Sequence, residues 1–139
     1  MKSITSNLVK FAIIFALGSI VFRFGLSWFL SNHKFTEIWI LAIFYFILNF
    51  GIGWFFGKKD YESLPLDDIG FRFHLTTYLI FNLVSELWFL FNLNSKYENV
   101  KTFHLILIFW GIGILIHFII YLFTRKDVIK GINKSDIFD

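Results

Sequence analysis

The 139-residue chain has no cysteine, one proline and one methionine, and only 17% of its residues are charged. Without cysteine there can be no disulfide, no thiolate nucleophile and no cysteine-ligated metal or iron–sulfur centre. The single proline, Pro65, falls in the stretch GKKDYESLPLDDIG at 57–70 and marks it as a turn-bearing connection. Catalytic signatures are missing as well: there is no HExxH, GxSxG, P-loop or Rossmann fingerprint. Nor does any apolar segment carry paired carboxylates for general acid–base work, so the chain is read as a non-enzyme.

What fills the chain instead is hydrocarbon. Hydrophobic residues make up 57%, including 21 Phe and five Trp, and the mean hydropathy is +0.68, outside the range of ordinary soluble domains. Four apolar stretches, 11–30, 38–56, 73–91 and 103–123, each approach the roughly 20 residues a helix needs to cross about 30 Å of hydrocarbon. We therefore expect one all-α integral membrane domain over 1–139, with helices at about 8–30, 37–57, 71–93 and 102–123. Lys2 and Lys10 before an apolar run also fit a signal peptide, but no small-x-small cleavage site follows, so the first segment is read as a retained helix.

Cations fix the expected orientation. Lys2, Lys10, Lys58, Lys59, Arg72, Arg125, Lys126, Lys130 and Lys134 share one side, against Lys34, Lys96 and Lys101 on the other, so the positive-inside rule puts both termini in the cytoplasm. The sequence pI near 9.2 is then topogenic, with no basic stripe to bind nucleic acid. Trp28, Trp39 and Trp88 are expected at the outer interface and Trp54 at the inner one. Short outer turns at 31–36 and 92–102 make two antiparallel helical hairpins. At an offset of 60, Trp28-Phe29-Leu30 falls on Trp88-Phe89-Leu90, Asn32 on Asn92, and Gly51-Ile52-Gly53 on Gly111-Ile112-Gly113. A hairpin repeat, 8–57 and 71–123, is one explanation and chance matching of aromatic-rich segments is the other.

Only two charged residues interrupt the apolar stretches, Arg23 and Glu86. A charge in such a segment is costly and marks a functional-site candidate. Each lies about eight residues before its outer turn, which puts them at one level, and we expect a buried Arg23–Glu86 ion pair joining helix one to helix three. Such a pair acts as structural glue, or Glu86 serves as a protonatable carboxylate for proton or cation coupling. The same counting puts Ser19, Asn49 and Asn82 in a midplane polar layer. Gly51, Gly53, Gly57, Gly111 and Gly113 are expected packing positions, the Gly53–Gly57 spacing giving a weak dimer motif. His74 and His117 should lie within about one helical turn of each other. They form a hydrogen-bonded pair, a metal site completed by Asp67 or Asp68, or a pair of haem ligands. Asp67 and Asp68 also suit the start of the third helix as caps, and no cofactor is assigned.

One string is more specific. Phe71-Arg72-Phe73-His74, Tyr78 and Asn82, followed by WGIGILIH with Trp110, Gly111, Gly113 and His117, resembles the bacterial two-transmembrane-domain family over about 68–123. That resemblance implies a small bacterial inner-membrane module, alone or fused to signalling domains, with no established activity. The chain departs from the family pattern by an extra N-terminal hairpin and by Glu86. The expected function is a non-catalytic membrane module: an accessory subunit, anchor or assembly factor whose partners are the lipid bilayer and another membrane protein or a second copy. The alternative is a small oligomeric transporter or proton or cation pathway using Glu86, and a minor alternative is haem or metal binding through His74 and His117.

Overall fold

The computed structural model describes residues 4–63 and 69–131. Among them are four helices and no strand: α1 (Ser6–Ser31), α2 (Phe35–Ser63), α3 (Ile69–Leu90) and α4 (Val100–Gly131). Three of these are long and apolar enough to cross a membrane: α1, α2 over Phe35–Glu62, and α4 over Val100–Phe123. The fourth expected span, α3, falls short of the same measure because Thr76, Thr77, Asn82, Ser85 and Glu86 interrupt its apolar run. Its position compensates. It is the one helix that packs against all three others, so its polar residues have protein rather than hydrocarbon to face.

Helix boundaries moved where local chemistry allowed. Thr5 caps α1, its hydroxyl accepting from the Leu8 N–H at 3.0 Å. We expected α2 to stop at 57, yet it continues to Ser63. Gly57 keeps a negative φ there, and Lys58 and Glu62 lie 3.8 Å apart along one face. α4 likewise runs eight residues past 123. α1 and α3 end alike. His33 N–H bonds Leu30 C=O and Lys34 N–H bonds Phe29 C=O, while Asn92 N–H bonds Phe89 C=O and Leu93 N–H bonds Trp88 C=O. His33 and Asn92 supply the positive φ, 57° and 55°, that this termination requires. The two endings correspond at an offset of 59 rather than 60, so Trp88 matches Phe29 and not Trp28. One residue is 100° of helix rotation, which explains why Trp28 is 48% exposed and Trp88, expected at the interface, is only 9% exposed.

α1 is the spine. Its buried stripe is Leu8, Phe11, Phe15, Ser19, Arg23 and Ser27, apolar over one half and polar over the other. Phe11 and Phe15 pack with Ile69 and Phe73 of α3, and the Phe11 and Phe73 ring centres lie 4.9 Å apart. Phe11 against Phe73 and Ser27 against Trp88 set α1 beside α3 at offsets of 62 and 61 residues. α2 lies along α1 in the opposite sense, through Phe22–Tyr45 and Gly18–Asn49, and α4 packs against α3 alone.

Candidate functional site

The polar half of the α1 stripe needs partners, since a buried donor left unpaired costs about 1–3 kcal/mol and a buried charge more. Those partners come from the connection between α3 and α4. Arg23 Nη2 lies 2.6 Å from Glu98 Oε2, and the two side chains are only 5% and 6% exposed. The other carboxylate oxygen, Oε1, accepts from Ser27 Oγ at 2.5 Å and from the Ser95 N–H at 2.9 Å. Ser27 Oγ in turn accepts from Trp88 Nε1 at 2.9 Å. Ser31 adds a bond to Ser95 Oγ at 3.0 Å. The guanidinium also lies over the Phe89 ring, 5.1 Å from its centre. Not every donor is matched: among the described residues, buried Arg23 Nε and Ser85 Oγ have no partner.

The expected Arg23–Glu86 pair is therefore wrong. Depth was not at fault, because an offset of 61–62 puts Arg23 level with residues 84 and 85, next to Glu86. Azimuth was. Ser85 and Trp88 are the buried face of α3, and Glu86 is rotated 100° from Ser85, toward α4. There its Oε1 lies 2.8 Å from His104 Nε2, in a pair whose side chains are about half exposed. Sequence reasoning missed Glu98 altogether, because a lone acid in a polar connection looks ordinary.

A second buried acid clamps the other end of α1. Asp60, 2% exposed, accepts from Asn7 Nδ2 at 2.8 Å and from the Thr5 hydroxyl. From the sequence it falls in the connection 57–70. With α2 continuing past Gly57, Asp60 falls on the same stripe as Asn49 and Gly53, which faces α1. Asp67 and Asp68, the suggested metal ligands and caps, lie outside the described residues.

The midplane layer is only partly assembled. Ser19 Oγ donates to Phe15 C=O at 2.8 Å, which uses its one proton, so the Tyr45 hydroxyl at 2.7 Å must be the donor to Ser19. Asn49 and Asn82 instead bond back to their own helices, at Tyr45 C=O and Tyr78 C=O, both at 2.6 Å. Among the expected packing glycines, Gly111 makes a close approach: a Cβ there would come within 2.9 Å of the Tyr78 hydroxyl, whereas one on Gly53 would meet Phe11 at an ordinary 3.6 Å. Gly51, Gly57 and Gly113 face open space, so they are not packing positions within the chain. Gly113→Ala should therefore stabilise α4 by about 0.5–1 kcal/mol through helix propensity, while Gly111→Ala should lose that gain to displacement of Tyr78. Thermal unfolding of the two variants side by side checks the contrast.

His74 and His117 are brought together, their Nδ1 atoms 3.4 Å apart and their rings edge to face. Trp110 decides their chemistry. Its Nε1–H, which can only donate, points at His74 Nε2 at 3.2 Å, so that nitrogen must carry a lone pair. The proton of neutral His74 is then on Nδ1 and faces a bare Nδ1 on His117, whose own proton is on Nε2. Metal ligation through His74 Nδ1 would need the opposite tautomer and set two N–H groups against each other. The described residues also contain no third acid or histidine to complete a metal site. Haem does not fit between two nitrogens already in direct contact. Nitrogen chemical shifts of the two imidazoles should show His74 protonated on Nδ1 and His117 on Nε2; the same tautomer on both would contradict this relay.

Beside these clusters, between α2 and α3, lies a laterally open groove of about 1150 Å³ floored by Phe11 and Phe15 of α1. Its α2 wall carries Phe46, Phe50 and Trp54, stacked one turn apart with ring centres 6.2 and 6.3 Å from each other. No family model, no curated protein and no solved structure matches the chain.

Proposed function

We propose that the chain is a non-catalytic module of the bacterial inner membrane, an accessory subunit, anchor or assembly factor, folded as two antiparallel hairpins with both termini in the cytoplasm. In this reading α3 is the fourth span, packed against each of the other three helices. The observation that carries the proposal is the closure of the Arg23–Glu98 cluster. The one cation embedded in an apolar stretch is buried against an acid whose other oxygen is held by two serines, and is thereby committed to holding elements together. A transport site would keep such a group within reach of its cargo.

The alternative of a proton or cation pathway rests on Glu86, whose pair with His104 is half exposed and so remains accessible. Reconstitution into vesicles under a pH gradient separates the two. The module reading expects the same leak from vesicles carrying the protein and from its Glu86→Gln variant, and a flux abolished by Glu86→Gln would overturn it.

A further inference from the structure

The groove has the dimensions of a seat for a helix. It follows α2 from Ala42 to Tyr61, 19 residues or about 28 Å at 1.5 Å per residue, close to the whole hydrocarbon thickness of about 30 Å and about twice what one lipid leaflet spans. Its volume over that length is a cross-section of about 40 Å², roughly half the section of a helix 10 Å across. We propose that its occupant is α2 of a second copy of this chain, in a twofold pair whose axis runs along the membrane normal. The proposal names the partner of the module described above and rests on that reading for its role.

Self-complementarity favours a second copy over another protein's helix. The Phe46–Phe50–Trp54 ridge lines the groove and also stands out from it, so a twofold rotation sets the ridge of each copy into the groove of the other. The apolar window of α2 also holds no buried residue. Phe46, Phe50, Trp54 and Tyr61 are 69, 62, 69 and 69% exposed. At 150–250 Å² per aromatic they offer about 400–700 Å² per copy before the opposite wall is counted, against about 800 Å² per partner in a stable interface. In lipid that area acts through packing rather than through exclusion of water.

Polar groups along the seat agree. Asn49 lines the groove about 13 Å from Lys58, with its Oδ1 and one amide proton unused among the described residues. A carboxamide with one spare donor and one spare acceptor can pair reciprocally with its own copy. At the mouth, Lys58 and Glu62 are opposite in sign, loosely paired and 66% and 63% exposed, so they add no net charge to repel a mate.

The absence of cysteine makes the test clean. Phe50→Cys puts a thiol on the groove wall, and Ile116→Cys puts one on the exposed face of α4. Oxidative cross-linking in native membranes should give a covalent homodimer from Phe50→Cys and at least ten-fold less from Ile116→Cys. Gly57→Phe fills the groove from a position where an added Cβ meets nothing within 4 Å, and should cut the Phe50→Cys dimer about ten-fold without lowering protein level. A Phe50→Cys protein that gives no homodimer and has monomer mass after mild extraction overturns the proposal. So does a cross-link to a different protein, although that outcome leaves the module reading intact, whereas Glu86-dependent flux would remove the module reading and not the dimer.

Discussion

Glu98→Ala is expected to destabilise the folded protein by about 3–5 kcal/mol, because it strands a guanidinium only 5% exposed without its counter-charge. Arg23→Ala should cost less. Glu98 would keep its bonds to Ser27 and the Ser95 N–H, and it sits on a connection that can turn the carboxylate toward water. Arg23 has no such freedom, being fixed on a helix among Trp88, Phe89 and Ser27. Glu86→Ala should cost least, since it leaves behind a half-exposed imidazole rather than a buried charge. Thermal unfolding in mild detergent, read beside the amount of protein in membranes, should give the order Glu98→Ala, Arg23→Ala, Glu86→Ala from most to least damaging.

Asp60→Ala should produce the next largest loss, about 2–4 kcal/mol, since it removes the carboxylate that accepts from both Thr5 and Asn7. The damage should be local. Thr5 still caps α1 through the Leu8 N–H, and the Glu98 cluster lies at the other end of the helix. Hydrogen exchange should accelerate over the first two turns of α1 while residues near Arg23 keep their protection. Asp60→Asn, which retains an acceptor oxygen, should lose less than Asp60→Ala; equal loss would mean that the charge rather than the geometry holds the contact.

Both clamping acids lay in segments that periodicity leaves blank, and this sets the limit of what the residues alone could tell. Apolar run length found the four helices, because burial in hydrocarbon leaves few alternatives to a helix. Counting residues from a turn found the level of Arg23 and the meeting of His74 with His117, because helical rise is fixed. Counting could not say which way Glu86 points. That depends on the rotation of α3, set by Phe73, Ser85 and Trp88 packing against α1, and a single residue of register changes it by 100°. A signal for Glu98 did exist. It is the one acid in the connection 91–99, within reach of an embedded arginine on a neighbouring helix. Asp60 was also readable from the Asn49–Gly53 stripe, but only by letting α2 continue through two lysines that looked like its end. The tautomers of the histidine pair depended on Trp110, whose place opposite His74 follows from helix packing and not from spacing.

A double-mutant cycle on Arg23 and Glu98 tests most directly whether a connection residue, rather than a facing helix, neutralises the embedded cation. Arg23→Met, Glu98→Gln and their combination remove the charges while keeping bulk and an acceptor for Ser27 and the Ser95 N–H. The expected result is a coupling energy of about 2–3 kcal/mol, with the double variant recovering most of the stability lost by Glu98→Gln alone. The parallel cycle of Arg23→Met with Glu86→Gln should couple by less than about 0.5 kcal/mol. A large Arg23–Glu86 coupling beside an additive Arg23–Glu98 cycle would contradict the clamp.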